Sequence, residues 1–205
     1  MNTPLNESFS RPLRAALLVL ACAGPCANGA APPATDGEWP MAARGYASTR
    51  FSAMNQITAA NVKGLKVAFT FSMEVDRGQE AAPIVVGNTM YVVAPFPNYL
   101  FALDLSKPGA PMKWKFEPHP NPGAQGVACC DVVNRGVAWH DGRIYMNTLD
   151  GQTIAVDAAS GKEVWRTKLG DINKGETITM APIVVKGKVL GGNSGGEDGV
   201  GGWLV

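Results

Sequence analysis

The sequence predicts an all-β fold, a β-propeller of which about the first three blades are present. Three observations carry this. Gly occurs 24 times and Pro 15 times in 205 residues, which breaks the chain into short segments and leaves little room for long helices. The segments between these breaks are short apolar runs rich in Val, Ile, Tyr and Phe, the composition of strands. The runs also repeat, and a Trp returns at a similar offset after each second pair.

The repeat can be followed along the chain. Ala82-Pro83-Ile84-Val85-Val86-Gly87-Asn88-Thr89-Met90-Tyr91 reads as strand, tight turn and strand. Gly136-Val137-Ala138-Trp139-His140-Asp141-Gly142-Arg143-Ile144-Tyr145 has the same form. Ala181-Pro182-Ile183-Val184-Val185-Lys186-Gly187-Lys188-Val189 is the third copy. A further strand follows each of the first two hairpins, Leu100-Phe101-Ala102-Leu103-Asp104 and Thr153-Ile154-Ala155-Val156-Asp157. Each runs on through Gly109 or Gly161 to Trp114 or Trp165, flanked by Lys or Arg. Equivalent turns recur at roughly fifty residues, the length of a four-stranded blade. A β-sandwich with chance similarity would not repeat Ala-x-Asp, Gly and Trp in that order.

The first thirty residues read differently. Arg11 and Arg14 precede the apolar run from Ala15 to Gly24, and small residues follow from Cys26 to Ala31. A basic start, a short apolar stretch and a small-residue exit are the parts of a secretory signal peptide. About ten apolar residues are too few for a membrane span, which needs roughly twenty. The division expected is therefore a signal peptide over 1–30 and a partial propeller over 31–205, exported to the periplasm. Eighteen Lys and Arg against seventeen Asp and Glu leave a net charge of +1, so charge offers no case for a nucleic-acid partner.

Cysteine usage fits that compartment. Two of the four cysteines fall in the leader, and the others, Cys129 and Cys130, are adjacent. No C-x-x-C or Cys/His cluster supports zinc. His119 and His140 stand apart and read as surface residues. Adjacent Cα atoms lie about 3.8 Å apart, below the roughly 4.4–6.8 Å of most disulfides. A bridge between them would close almost no loop and add little chain-entropy stabilisation. A vicinal bridge and a pair of buried thiols both stay open on the residues alone.

Four segments resemble the quinoprotein alcohol dehydrogenases, in particular the large subunit of methanol dehydrogenases that depend on pyrroloquinoline quinone (PQQ). They are Arg77-Gly78-Gln79-Glu80, Pro95-Phe96-Pro97-Asn98, Cys129-Cys130-Asp131-Val132-Val133-Asn134-Arg135-Gly136 and Ser194-Gly195-Gly196-Glu197. The resemblance runs from about Trp39 to about Val200. It implies a propeller of about eight blades in that family, this chain covering the first of them.

For the site, the resemblance implies a Cys129–Cys130 disulfide whose ring lies against one face of the planar cofactor. It places Arg135 at the quinone side, Thr179 and Ser194 as donors to the polar edge, and Glu80 as an acid that also hydrogen-bonds PQQ. Gly195 and Gly196 would let the backbone come close to the cofactor. Glu197 matches the carboxylate that binds the metal, calcium or a lanthanide, a hard cation that takes oxygen ligands and acts as a Lewis acid. The implied reaction is oxidation of small primary alcohols such as methanol or ethanol to aldehydes, with a c-type cytochrome accepting the electrons.

The chain departs from that pattern at three places. The family's aspartate base, its metal-binding asparagine and the tryptophan beneath PQQ have no counterpart here. No catalytic base is therefore assigned, and the chain is expected to be an inactive N-terminal fragment. Gly201-Gly202-Trp203 replaces the usual continuation, with no terminal strand expected, and Phe69 stands where Trp is common. Two other readings compete. A non-catalytic scaffold of the outer-membrane assembly type shares the Trp repeat but has no reason to hold Cys129, Cys130, Arg135 and Glu197 together. A truncated, non-functional product is the other.

Overall fold

A computed structural model describes residues 37–128 and 131–205. The expected leader over 1–30 and both adjacent cysteines lie outside the described residues. Among the described residues, regular structure consists of ten strands and four short 3-10 turns.

Two four-stranded antiparallel sheets follow one another in the chain. The first contains β1 (Ile84–Val86), β2 (Thr89–Val93), β3 (Leu100–Asp104) and β4 (Met112–Phe116), in that spatial order. The second contains β5 (Ala138–His140), β6 (Arg143–Asn147), β7 (Gln152–Asp157) and β8 (Glu163–Lys168), ordered likewise. β9 (Ile183–Val185) and β10 (Lys188–Leu190) form the hairpin that opens a third. β1 contacts β5 and β5 contacts β9, so the first strands of successive sheets sit side by side. This is the blade arrangement read from the repeat, with two whole blades and the start of a third.

The third unit goes further than the sequence suggested. Gly192 pairs antiparallel with Leu204, and Gly191 and Val205 exchange backbone hydrogen bonds at 2.9 Å. In the first blade Val93 pairs with Leu100 and Val92 with Phe101 in the same relation. Residues 203–205 thus lie where a third strand belongs.

The repeated residues now have physical reasons. Tyr91, Ala102 and Trp114 are cross-strand partners in the first sheet, and Tyr145, Ala155 and Trp165 are partners in the second. A small Ala in the middle lets the flanking rings meet above it, at 5.8 Å in one blade and 6.0 Å in the other. Both sheets shift register just after that Ala. The following Asp closes the turn to the last strand. Asp104 accepts from the backbone N–H and hydroxyl of Ser106, and Asp157 from those of Ser160.

Trp114 joins the two blades. Its indole N–H donates to the Ala158 carbonyl at 3.1 Å, which Tyr91 also reaches with its hydroxyl at 3.2 Å. The ring lies on Gly161, where an added Cβ would sit 2.7 Å from Trp114 Cδ2. Gly161 also has φ +73°, so both the space and the backbone conformation demand glycine.

The inner strands β2, β3, β6 and β7 bury both faces. On β3, Leu100 and Ala102 enter the core shared with the second blade, beside Ile144, Met146, Ile154 and Val156. Phe101 and Leu103 face the opposite core, where Phe69, Phe71, Met73 and Val75 pack. Burial on both faces explains why the strands read as continuous apolar runs rather than alternating ones.

A segment near residue 40 ties the blades together. Trp39 exchanges backbone hydrogen bonds with Val85 of β1, and Pro40 accepts from Trp139 of β5. The Tyr46 hydroxyl donates to the Val184 carbonyl of β9.

Candidate functional site

The site is built from the chain just before each first strand. Residues 80–83, 134–137 and 179–182 precede β1, β5 and β9 and run alongside one another. Ala82 bridges to Gly136 in parallel, and Arg135 N–H donates to the Thr179 carbonyl at 3.0 Å. Gly136 has φ +128°, and an added Cβ would lie 3.3 Å from the Ala82 carbonyl oxygen. The contact is tight and the backbone conformation is one that L side chains rarely adopt, which favours glycine there.

Four of the residues expected from the sequence come together in one line on this rim. Arg135 Nε lies 3.2 Å from a Glu80 carboxylate oxygen. Arg135 Nη1 donates to Thr179 Oγ1 at 2.7 Å. Thr179 Oγ1 in turn donates to Ser194 Oγ at 3.4 Å. Thr179 is buried, whereas the side chains of Arg135 and Glu80 are 44% and 49% exposed. The ion pair therefore stands at an open edge, where such a pair contributes only ~0–1 kcal/mol to stability. Its significance is directional. Guanidinium carries five N–H donors, and the two contacts leave several of them unspent toward the open side.

The hydroxyls behind the guanidinium have a defined direction. Thr179 Oγ1 accepts from Arg135, so its proton is available to Ser194 across a long 3.4 Å contact or to a ligand. Ser194 is paired with Thr177: its backbone N–H donates to the Thr177 carbonyl at 2.8 Å and its hydroxyl to the same oxygen at 3.1 Å. The Thr177 hydroxyl lies 3.1 Å from Ser194 Oγ. Ser194 thus has to turn away from Thr177 to donate to a ligand.

The glycines after Ser194 differ from each other. Gly195 has φ +108°, and an added Cβ would come within 2.9 Å of the Gly175 carbonyl and 3.1 Å of Val200 Cγ2. It is required by the protein's own backbone. Gly196 has open space where a Cβ would be. Glu197 follows on the exposed turn Gly196–Asp198. Among the described residues, no group of three or more His, Cys, Asp or Glu side chains converges on a point that could hold a metal. Glu197 alone is one carboxylate against the roughly six to eight oxygens calcium takes. His119 and His140 are exposed, as expected.

Neighbours of the two cysteines are described although the cysteines are not. Phe96 N–H donates to the Val132 carbonyl at 2.9 Å, and Phe96 packs with Ala128, Val132 and Leu149. Asn98 Oδ1 accepts from Leu149 N–H at 3.0 Å. Arg77 and Asp131 form an exposed pair at 3.9 Å, and Gln79 donates to the Val93 carbonyl at 2.9 Å. With Ser194 joined through Thr179, all four resembling segments are therefore linked to one another.

Reading the sequence missed Thr177, Asn134 and Asn147. Thr177 could have been found: Thr177 and Thr179 flank the buried Ile178, so strand periodicity puts both hydroxyls on one face. Asn134 lies inside the Cys-Cys motif but points inward, and nothing in the sequence marks Asn147.

For PQQ the donor set fits. An anionic tricarboxylate with a flat quinone needs a cation, hydroxyl donors and a backbone that can come close; Arg135, Thr179 and Ser194 supply the first two, and Gly196 has the open space the third requires. For a cation no comparable set of His, Cys, Asp or Glu side chains converges among the described residues.

Comparison with known proteins agrees with that chemistry. The chain is 54% identical over 164 residues to the lanthanide-dependent methanol dehydrogenase of Methylacidiphilum fumariolicum, covering 80% of this chain and 27% of that protein. It is 45% identical over 177 residues to methanol dehydrogenase [cytochrome c] subunit 1 of Methylobacterium organophilum, covering 83% of this chain and 28% of the relative. The solved structure of a europium-containing methanol dehydrogenase superposes with a TM-score of 0.81 at 53% identity, over 83% of this chain and 30% of that one. The chain therefore spans somewhat over a quarter of the length of these curated relatives. Residues 39–198 match the PQQ family described as the glucose/ethanol/alcohol dehydrogenase β-propeller domain, and the chain belongs to that family.

Proposed function

We propose that this chain forms part of the PQQ-binding face of a dehydrogenase that oxidises small primary alcohols, methanol or ethanol, to aldehydes, with a c-type cytochrome receiving the electrons. One observation carries the reading: Glu80, Arg135, Thr179 and Ser194, drawn from three successive blades, form one line of donors and acceptors on an open rim. The names of the relatives, lanthanide-dependent methanol dehydrogenase and methanol dehydrogenase [cytochrome c], support the substrate class and the acceptor.

Bound PQQ supplies the quinone that takes electrons from the alcohol. The chain's own residues hold and orient. Arg135 directs its unspent N–H groups to the quinone side of the cofactor while Glu80 and Thr179 fix the guanidinium plane. Thr179 gives its proton to the ligand in place of the long contact with Ser194. Cys129 and Cys130 are proposed as a vicinal disulfide flanking the cofactor. Glu197 is proposed as one oxygen ligand of calcium or a lanthanide. None of these groups is proposed as the base that takes the alcohol's proton. Export to the periplasm through residues 1–30 would supply the oxidising compartment a disulfide needs.

The test uses the polypeptide as translated from its own locus, made in a host that does not synthesise PQQ. Titration with PQQ should quench tryptophan fluorescence saturably. Arg135→Ala should weaken binding about tenfold or more, since a hydrogen bond to a charged group contributes ~1.5–3 kcal/mol and 1.4 kcal/mol is about tenfold. Absence of saturable binding by the unaltered protein would refute the proposal.

A further inference from the structure

We propose that Asn134, with Asn147 behind it, is the positioning residue that sets the Arg135 guanidinium on the rim. The inference rests on the PQQ reading for its consequence but on separate geometry for its basis. Asn134 is 2% exposed and Asn147 is fully buried. Asn134 Nδ2 donates to the Asn147 carbonyl at 2.9 Å, and Asn134 Oδ1 accepts from Gly136 N–H at 3.0 Å. The amide therefore holds the chain on both sides of Arg135 at once. Asn147 Nδ2 donates to the Met180 carbonyl at 3.0 Å, and its Oδ1 accepts from Thr153 Oγ1 at 2.8 Å. Two amides thus fasten the 134–136 segment to the second blade and to the third blade's residue next to Thr179.

Repeat position makes the assignment specific. Counting back from the first strand of each blade, Asn134 occupies the place of Glu80 in the first and Thr179 in the third. Those two side chains touch Arg135 directly. Asn134, between them, turns inward and fixes the backbone from which Arg135 projects. A half-exposed guanidinium has many rotamers, and a displacement of its Cα would move it out of reach of Glu80 and Thr179 together. Asn134 acts through Arg135 and is not itself placed against the cofactor.

Two readouts test this, both on the polypeptide as translated. The first needs no cofactor: modification of Arg135 by an arginine-directed dicarbonyl, followed by peptide mass spectrometry. Asn134→Ala should speed labelling of Arg135 at least about fivefold while other arginines keep their rates. The second is a double-mutant cycle on the PQQ dissociation constant. Asn134→Ala should weaken PQQ binding about tenfold in the unaltered background and by less than about twofold in the Arg135→Ala background. Asn134→Ser, which keeps an acceptor for Gly136, replaces the alanine variant if that fails to fold by circular dichroism. Unchanged Arg135 labelling, or equal losses in both backgrounds, would overturn the positioning role. If the unaltered protein binds no PQQ, the functional reading fails, and the labelling result still decides whether Asn134 positions Arg135.

Discussion

Replacing Gly161 by alanine should cost far more than replacing Gly109, although the two follow equivalent strands in successive blades. Both have left-handed backbones, φ +73° and +76°. Placing an L-residue there costs ~1–2 kcal/mol. The gain from a stiffer unfolded chain, ~0.4–1 kcal/mol, is common to both and cancels. The difference lies in the surroundings. At Gly109 an added Cβ meets nothing within 4 Å, whereas at Gly161 it would lie 2.7, 2.8 and 2.9 Å from Trp114 Cδ2, Cγ and Cε3. Carbon atoms in contact prefer about 3.5–4.0 Å. The indole cannot retreat freely, because its N–H is bonded to Ala158 and Tyr91 lies against it. Overpacking of this kind costs ~1–3 kcal/mol, so Gly161→Ala should lose about 1–3 kcal/mol more than Gly109→Ala. Urea unfolding of the polypeptide as translated, followed by far-ultraviolet circular dichroism, measures both. In a Trp114→Leu background the excess at Gly161 should shrink toward the Gly109 value. Equal losses for the two glycines, within about 0.5 kcal/mol, would refute the ring-on-glycine account of how the blades join.

Acid should weaken both blade turns. Hydrogen bonds from Ser106 and then the neighbouring Lys107 hold Asp104 below its usual 3.8, and hydrogen bonds from Ser160 do the same for Asp157. A depressed carboxylate contributes stability that is present above the unfolded value and disappears as pH falls through the folded one. Melting temperatures should therefore decline from near pH 4 downward, and Asp104→Asn with Asp157→Asn should flatten that decline. For the cysteines, alkylation of exported protein without reductant should modify neither Cys129 nor Cys130, and two alkylated residues would exclude the bridge. Amino-terminal sequencing of periplasmic material should begin near Ala31; an intact Met1 on soluble cytosolic protein would exclude the leader.

Much of the architecture was legible from local chemistry. Strand, turn and strand follow from apolar runs cut by Gly, Asp and Asn, because a strand's period and a turn's backbone are settled within a few residues. The repeat then multiplied each local signal, so that Ala102 and Ala155, Asp104 and Asp157, Trp114 and Trp165 reinforced one another. Glu80, Arg135, Thr179, Ser194 and Glu197 were legible only through the resemblance. As isolated residues a half-exposed Arg and a loop Glu carry no signature.

What the tertiary structure alone decided concerns contacts between blades. That Trp114 lies on Gly161 of the next blade as well as on Tyr91 of its own, that residues 39–46 tie three first strands together, and that residues 203–205 pair with Gly191 and Gly192 are all matters of distant backbones meeting. The same holds for the line from Glu80 to Ser194, whose ends are far apart in sequence, and for Asn134 pointing into the protein while its neighbour Arg135 points out. A sequence specifies which residues lie on one face of a strand, because that follows from a period of about two. Which strand that face meets depends on how successive sheets twist and pack against one another, and only the folded chain brings those surfaces together.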